Sequence, residues 1–335
     1  MKKVVIGIIF VVVLLVLSGC GKAPVNHTEN LILDKQDQDS IEKNMDSSEN
    51  PKKTIALVMK TLTNPFFIDM EMGARKAEVE LGVNLLVKTG AQETSIEQQI
   101  AIVEELIQLK VDAIVIAPGH SIELIPVLKK AQDAKIPIVN IDNRLDPKIS
   151  KEMGLINVPF ISVDNEQGAY EAAKYICDKI TKPTKAVILE GIRGADNSEQ
   201  RKNGILKAVH ENKNIEMVAI ETANWKIDEA FSVTSKIFEK HPDIGVIFSA
   251  NDMMALGAIE YLVRENKKDV LVSGFDALEE AKKAIDKGYL QVTVNQQADI
   301  QGYEGVLNAV KMVEGGKVQE ETIIPVKIID LKSVK

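Results

Sequence analysis

The regular alternation of two kinds of segment from residue 54 onward constrains the fold more than any other feature. Short apolar runs rich in Val and Ile, such as 54–59 and 113–117, alternate with stretches such as 95–109, where apolar residues recur every three to four positions. The first pattern predicts strands buried on both faces, and the second predicts amphipathic helices. Repetition of strand and helix is typical of α/β folds with parallel sheets covered by helices.

The predicted strands are too numerous for one sheet. A looser stretch at 143–159 interrupts the rhythm, which then resumes and ends in a last predicted strand at 322–329. About 280 residues carry the pattern, which is long for one domain and natural for two. We therefore predict an α/β protein with two doubly wound parallel-sheet lobes.

The first twenty residues have a different character. Lys2 and Lys3 precede an apolar run that reaches residue 17, and Cys20 follows two small residues. This arrangement is typical of an export signal, and the run is shorter than the roughly 20 apolar residues that span a bilayer. We predict a signal peptide at 1–19. Residues 17–20 resemble the lipobox of bacterial lipoproteins, which implies that Cys20 is lipidated and anchors the chain to the extracytoplasmic face of the cell membrane. An ordinary signal peptide with a chance cysteine is the alternative.

Residues 20–53 are predicted to form the lipidated terminus and a flexible tether. Lys, Glu, Asp, Asn, Gln and Ser dominate this segment, and its one apolar triplet lies at 31–33. Such a composition buries too little apolar surface to fold alone. An extension that packs on the folded body is the alternative. Cys177, the only other cysteine, falls in a helical pattern and is expected in the core.

Composition and motifs exclude several functions. The formal net charge is −8 and the chain has no basic cluster, which argues against a nucleic-acid partner. The sequence contains neither the glycine fingerprint of dinucleotide-binding folds nor a phosphate-binding P-loop, and its four histidines lack metal-ligand spacing. We therefore predict a binding protein without catalytic residues, cofactor or metal.

Polar residues follow many of the predicted strands. Open α/β sheets bind ligands beyond the carboxyl ends of their strands, so these side chains are candidates for a site. Lys60 follows the first strand, and ligand contact is favoured for Asp142, Asn251, Asp276 and Gln296. The alternative for each is a helix cap, and for Asp164 and Asp252 the two interpretations stand equal.

Aromatic residues lie beside these strand ends, although only 4% of the chain is aromatic. Phe66 and Phe67 follow the first strand, and Trp225, the single tryptophan, follows another. Flat apolar faces beside amides, carboxylates and a guanidinium suit a sugar, because its C–H faces stack on aromatic rings while its hydroxyls both donate and accept hydrogen bonds. Core packing is the alternative for either phenylalanine.

Seven stretches, in order along the chain, carry a resemblance to a known family. They are 60–67, 136–142, 162–165, 201–204, 249–257, 274–276 and 293–296. In them the chain resembles the periplasmic sugar-binding proteins of the ribose/allose/galactose type, over nearly all of 53–335. The resemblance implies sugar contacts from Asn64, Phe66, Phe67, Asp142, Arg201, Trp225, Asn251, Asp276 and Gln296.

Two positions bear on which sugar the protein binds, and both are added to the predicted contacts. Asn143 stands where ribose-binding members carry Arg directly after the aspartate, and Lys60 resembles the allose-type members. These departures argue against ribose and favour a hexose or a comparable polyol.

The resemblance also implies that the chain crosses between lobes three times, near 163–164, 296–297 and 327–328. The first lobe then comprises 54–163 plus 297–327, and the second comprises 164–296 plus 328–335. A three-segment hinge of this kind lets two lobes close on a ligand in the cleft between them.

The predicted function is that of a monomeric lipoprotein that captures a monosaccharide or similar polyol for an ABC importer. Its partners are then the sugar, the permease of the transporter, and the membrane through the lipid. An alternative with the same fold presents the sugar to a chemoreceptor or sensor kinase. A sugar-responsive repressor is disfavoured by the lipobox and by the lack of a helix-turn-helix segment before residue 54. A sugar-modifying enzyme is the remaining alternative.

Overall fold

The computed structural model describes residues 52–335. The predicted signal peptide, Cys20 and the tether up to residue 51 lie outside the described residues. Among residues 52–335, no helix combines the length and the apolar character needed to cross a membrane.

The strands of this region follow the predicted order with small changes in their limits. They are Thr54–Met59 (β1), Asn84–Thr89 (β2), Ala113–Ile116 (β3), Ile138–Ile141 (β4), Phe160–Val163 (β5), Thr184–Glu190 (β6), Ile215–Thr222 (β7), Ile244–Ser249 (β8), Leu271–Ser273 (β9), Val292–Asn295 (β10), Glu321–Ile324 (β11) and Lys327–Asp330 (β12).

Helices fill the intervals between the strands. They are Pro65–Leu81 (α1), Ile96–Leu109 (α2), Ile125–Asp133 (α3), Pro147–Glu152 (α4), Asn165–Cys177 (α5), Asp196–His210 (α6), Ile227–Lys240 (α7), Asp252–Arg264 (α8), Glu279–Asp286 (α9), Ala298–Val313 (α10) and Leu331–Val334 (α11).

The strands form two six-stranded sheets, one in each lobe. The first sheet has the order β11-β5-β4-β3-β1-β2, and all of its pairs are parallel. The second has the order β12-β10-β9-β8-β6-β7. β12 pairs with β10 in the antiparallel direction, which departs from the prediction of purely parallel sheets. β1 lies inside the first sheet, and β6 lies inside the second. Later strands therefore extend outward on both sides of each, as in a doubly wound fold.

The last strand predicted from sequence is in fact two strands. β11 ends at Ile324 in the first sheet, and β12 begins at Lys327 in the second. Pro325 stands between them, and its missing N–H cannot continue a ladder. The third passage between the sheets therefore lies at 325–326, slightly before the expected boundary at 327–328.

The central strands are covered on both faces, as their continuous apolar runs predict. In β1, Ile55 and Leu57 belong to one core cluster, whereas Ala56 and Val58 belong to a second cluster on the other face. All four side chains are fully buried. Burial of each larger aliphatic side chain contributes about 1.5–3 kcal/mol, which makes these strands the rigid base from which the polar strand ends project.

Glycine allows two helices of the first lobe to touch. A Cβ atom on Gly73 of α1 would lie 1.8 Å from the carbonyl oxygen of Asp299 in α10, and one on Gly302 would lie 2.0 Å from that of Met70. α10 follows the second passage between the sheets, so this close contact fixes the returning chain to the first lobe.

In the second lobe, Cys177 is buried as predicted, and burial raises the pKa of its thiol to about 12.

Candidate ligand-binding site between the lobes

A small cavity lies where the carboxyl ends of the two sheets meet, and its volume is about 20 Å³. The residues that line it are Lys60, Asn64, Phe66, Phe67, Glu93, Asp142, Asn197, Arg201, Trp225, Asn251, Asp276 and Gln296. The structure thus brings ten of the eleven sequence-predicted contacts together. That they touch a ligand stays a prediction.

A buried ion pair forms the wall contributed by the first sheet. Lys60 follows β1 and Asp142 follows β4, and their Nζ and Oδ2 atoms lie 2.8 Å apart with each side chain about 3% exposed. Asp142 has a left-handed backbone with φ of 63°, and Ser162 Oγ donates to its carbonyl oxygen at 2.7 Å. Such a pair persists in the interior only because each charge compensates the other's lost hydration.

Asn64 acts both as a helix cap and as a wall of the cavity. Its Oδ1 accepts a hydrogen bond from the Phe66 N–H at 3.1 Å, which caps α1, and its Nδ2 donates to Glu93 Oε1 at 2.8 Å. The two phenylalanines that begin the helix pack edge to face, with ring centroids 5.0 Å apart. Both rings are buried, and both line the cavity.

Arg201, on α6, is the centre of the opposite wall. Its Nε donates to Asn165 Oδ1 at 2.8 Å, its Nη1 donates to the carbonyl oxygen of Ala250 at 2.9 Å, and its Nη2 donates to Gln296 Oε1 at 3.2 Å. The guanidinium carbon lies 3.8 Å from the centroid of the Phe275 ring. Burial lowers the pKa of Arg201, and nearby carboxylates oppose that change.

Asp276 completes this network. Its Oδ1 accepts a hydrogen bond from Gln296 Nε2 at 2.5 Å and lies 3.6 Å from Arg201 Nη1. Burial raises the pKa of Asp276 well above its ordinary value, although the charge of Arg201 works in the other direction.

Nearby, Asn251 caps α8 through a hydrogen bond from the Met254 N–H to its Oδ1 at 2.9 Å, so this residue also serves both as cap and as wall.

Trp225 lies flat against the backbone of the second lobe. A Cβ atom on Gly191 would lie 2.0 Å from the indole ring, so only glycine leaves room for the ring there. Trp225 itself has a φ of 66°. Its indole N–H finds no acceptor among residues 52–335. The Arg201 guanidinium carbon lies 5.4 Å from its ring, which places cation and aromatic surface side by side.

Asn143 is the one predicted contact that does not line the cavity, and its contact with a ligand stays a prediction. Its Nδ2 donates to the carbonyl oxygen of Pro118 at 3.1 Å, and its Oδ1 accepts from the Asn197 N–H at 3.2 Å. Because backbone groups of both lobes bond to its amide, the side chain joins the two lobes. Asp164 caps α5 through a bond from Gln167 N–H at 2.8 Å.

Asp252 also lies outside the lining, and its side chain braces neighbouring segments. Its two oxygens accept hydrogen bonds from Thr293 Oγ1 at 2.7 Å and from the Leu278 N–H at 2.9 Å. Burial raises the pKa of its carboxyl to about 6. Asn251 caps α8, so Asp252 is not its cap, and contact of Asp252 with a ligand stays a prediction.

Two residues of the lining were missed from sequence. Glu93 lies in the loop between β2 and α2, several residues beyond the strand end, whereas only residues next to strand ends were considered. Asn197 lies one helical turn before Arg201, and its Nδ2 donates to Asp142 Oδ1 at 3.3 Å. Positions i and i+4 share a helix face, so the spacing from Arg201 is the signal that could have found it.

Glu93 has the most unusual environment in the first wall. Burial raises the pKa of its carboxyl from an ordinary value of 4.5 to about 7, while Lys60 and the Asn64 amide act to lower it and Asp142 acts to raise it. Within residues 52–335, no group of three or more His, Cys, Asp or Glu residues could hold a metal ion.

The lobes also touch directly beside the cavity. The Ser121 N–H donates to the carbonyl oxygen of Gly194 at 3.1 Å, and Ser121 Oγ accepts from the Asp196 N–H at 2.9 Å. Gly194 has a φ of 89°, and a Cβ atom there would lie 2.2 Å from His120 Nε2. We refer to these contacts, together with those of Asn143, as the lobe seam. The seam and the enclosed cavity define a closed arrangement.

Comparisons with known proteins agree with this architecture. A family model described as "Periplasmic binding protein domain" matches residues 55–317. A D-ribose/D-allose-binding protein of Pseudomonas aeruginosa is 37% identical over 280 residues, which cover 82% of this chain and 86% of the relative. A ribose import binding protein of Escherichia coli is 33% identical over 278 residues, or 83% of this chain and 90% of the relative.

A solved structure gives the same result for the fold. It is an ABC transporter periplasmic solute binding protein from Actinobacillus succinogenes with bound D-allose. It superimposes with a TM-score of 0.80 at 38% identity and covers 84% of this chain and 99% of that one. The predicted two-lobed fold is thereby confirmed. So is the prediction of a binding protein rather than an enzyme, because these relatives are all binding proteins.

Proposed function

The chain belongs to the periplasmic binding protein domain family, and from that premise we propose that it captures one small neutral sugar and delivers it to an ABC importer. The ligand is a monosaccharide or a similar polyol. It lies in the cavity between the lobes, where both walls contact it.

The single observation that carries this proposal is the pairing of charges within the cavity. Lys60 pairs with Asp142, and Arg201 lies beside Asp276, so each cation in the lining already has an anion. A charged ligand would disturb these pairs. Sugar hydroxyls, in contrast, both donate and accept, so a neutral sugar can add hydrogen bonds to charged partners without breaking the pairs.

The aromatic residues and the ligands named for the relatives support the same ligand class. Phe66, Phe67 and Trp225 supply apolar surface for the C–H faces of a sugar ring. The relatives named above bind ribose and allose, and the solved structure holds D-allose. Lys60 favours a hexose, because its ammonium has three protons and its pairing with Asp142 leaves others for an additional hydroxyl.

Capture occurs by closure of the lobes about the three connecting segments. The walls come from different lobes, so a ligand that contacts both stabilises the closed arrangement over the open one. The lobe seam supports this proposal, since its hydrogen bonds form only when the lobes meet.

The finer parts of the proposal concern the membrane. We propose that Cys20 carries the lipid, that residues up to 53 tether the monomeric binding domain to the extracytoplasmic face, and that the loaded domain meets the permease there. A Cys20→Ala variant should then be released from the membrane or remain uncleaved. Unchanged retention on membranes after washing without detergent would refute the lipid assignment.

A thermal-shift screen tests the sugar directly. A ligand that binds only the folded state raises the unfolding midpoint. D-allose, D-ribose, myo-inositol and a disaccharide such as maltose form an informative panel. We expect a rise with a monosaccharide or polyol and none with the disaccharide, which the cavity is too small to enclose. A panel without any shift, checked by calorimetry, would contradict the proposal.

A further inference from the structure

The carboxyl group of Glu93 is only half satisfied by the protein. The residue is 7% exposed, and its Oε1 accepts a hydrogen bond from Asn64 Nδ2 at 2.8 Å. Among residues 52–335, no donor is bonded to its second oxygen. The nearby cation Lys60 is held by Asp142 at 2.8 Å, so Glu93 has no ion-pair partner of its own.

Closure of the cleft makes this arrangement unfavourable for an ionised carboxylate. A buried charge without a direct counter-ion loses its hydration, and the usual response is to become neutral. In an open cleft, water would solvate the second oxygen. In the closed cleft, only the ligand and a proton remain to satisfy it.

We propose that Glu93 is a ligand-binding residue that takes up a proton when the cleft closes on a neutral sugar, so that sugar affinity rises as the pH falls. The proton comes from solvent and resides on the carboxyl group. The protonated group both donates and accepts, and it meets a sugar hydroxyl while Asn64 keeps its hydrogen bond. This inference rests on the proposed function, because it requires a sugar in the same cavity.

The charges that face Glu93 support this proton balance. They are Lys60 after β1, Asp142 after β4, Arg201 on α6 and Asp276 after β9. With Asp276 ionised beside Arg201, these four groups comprise two cations and two anions, so they compensate one another. An ionised Glu93 would add one unpaired negative charge, and a protonated Glu93 leaves the cavity neutral.

Asp276 is the other lining carboxyl with a raised pKa, but closure changes its surroundings less. Its partners Arg201 and Gln296 lie on the same side of the cleft, so this network already exists when the lobes part. Glu93, on the first wall, faces Arg201 and Asp276 only when the lobes meet. The proton linked to closure therefore belongs mainly to Glu93.

The direction of the pH effect follows from the pKa of Glu93 in the two arrangements. In the closed cleft, burial raises the pKa of Glu93 from its ordinary value of 4.5 to about 7, and opening the cleft removes that burial. A group whose pKa is raised by closure favours closure at low pH, so affinity is highest below about 4.5, falls as the pH rises toward 7, and is constant above it. Between about pH 8 and pH 5.5, the affinity should rise by about tenfold to thirtyfold.

Titration calorimetry with D-allose at about pH 5.5, 7 and 8 tests the inference. Wild type should show the tenfold to thirtyfold rise, and binding near pH 6 should take up about half a proton or more, measured from the dependence of the heat on the buffer. Glu93→Gln should bind with nearly constant affinity across this range. It should match wild type most closely at low pH, because its amide resembles the protonated carboxyl.

Glu97→Gln is the matched control, because Glu97 lies exposed on the adjoining α2 and should leave the pH dependence intact. If Glu93→Gln fails to fold, proton uptake by wild type still decides. Affinity that is independent of pH in wild type, or a pH dependence that survives in Glu93→Gln, would overturn the role of Glu93 and leave sugar capture standing. If no sugar of the panel binds at any pH, both fail.

Discussion

The two walls of the cavity differ in how completely the protein satisfies their charged groups. In the second lobe, Arg201 is bonded to Asn165, Ala250 and Gln296, and Gln296 in turn holds Asp276. In the first lobe, Asp142 Oδ2 lies beside Lys60 but receives no hydrogen bond of normal geometry, and Glu93 has one partner.

This difference indicates that the two lobes have separate roles in ligand binding. The second wall is preorganised, so it can recognise a sugar in the open cleft without rearrangement of its own side chains. The first wall is completed only by the ligand and by groups that arrive with closure, such as Asn197. The first wall therefore couples ligand binding to closure of the lobes.

The largest expected effect comes from breaking the second wall. Arg201→Ala removes donors to three partners and leaves Asp276 buried without its cation, so binding should weaken by about tenfold to several hundredfold. Asp276→Ala should fall in the same range. Calorimetry with D-allose measures both, and Arg264→Ala, at an exposed position of α8, is the matched control. Wild-type affinity in correctly folded Arg201→Ala would show that this wall is not the recognition surface.

A smaller effect is expected when the first wall loses its cation. Lys60→Met keeps most of the side-chain length but removes the ammonium beside Asp142, so affinity for D-allose should fall by about tenfold or less. The ratio of D-allose to D-ribose affinity should fall as well. Lys88→Met is the control, because Lys88 lies at a partly exposed position near the end of β2. An unchanged ratio would remove the role of Lys60 in preferring a hexose.

The hydrogen bonds of the lobe seam should contribute less to sugar affinity than Lys60 does. Ser121→Ala deletes the acceptor for the Asp196 N–H, and a hydrogen bond of this kind contributes about 0.5–1.5 kcal/mol. Sugar affinity should therefore weaken by about twofold to tenfold. The loss should appear mainly as faster dissociation, because the seam forms after the sugar is held. Ser232→Ala, at an exposed position, should bind as wild type does. Slower association with unchanged dissociation would contradict this order of events.

The smallest perturbation uses Trp225 as a reporter without any substitution. It is the single tryptophan, and its indole lies between the backbone at Gly191 and the cavity. Because the second wall is preorganised, D-allose should change the emission of Trp225 in the bimolecular step, and the Ser121→Ala variant should retain that change. A sugar whose binding is established by calorimetry but leaves emission unaltered would place Trp225 outside the contact surface.

The sequence predicted five of the six lining residues of each wall, and both the successes and the omissions have physical causes. Asn251 and Asp276 follow parallel strands almost directly, so strand order brings them to one edge of the sheet. Glu93 reaches the cavity from within a loop, where the direction of a side chain depends on turns that no periodic pattern encodes.

Two other differences have local causes. Asn143 follows a predicted contact directly but is turned away, because Asp142 adopts a left-handed backbone and the next amide reaches Pro118 and Asn197. The final passage between the sheets occurs at Pro325, since proline interrupts an apolar run that would otherwise predict one continuous strand.

Solution scattering with and without sugar tests the central claim most directly, because capture by two unequal walls requires the lobes to move. With saturating D-allose, the radius of gyration of wild type should decrease toward that of the closed arrangement, while Arg201→Ala at the same concentration should remain open. A radius of gyration that is unchanged at saturating ligand, with binding established by calorimetry, would contradict capture by closure.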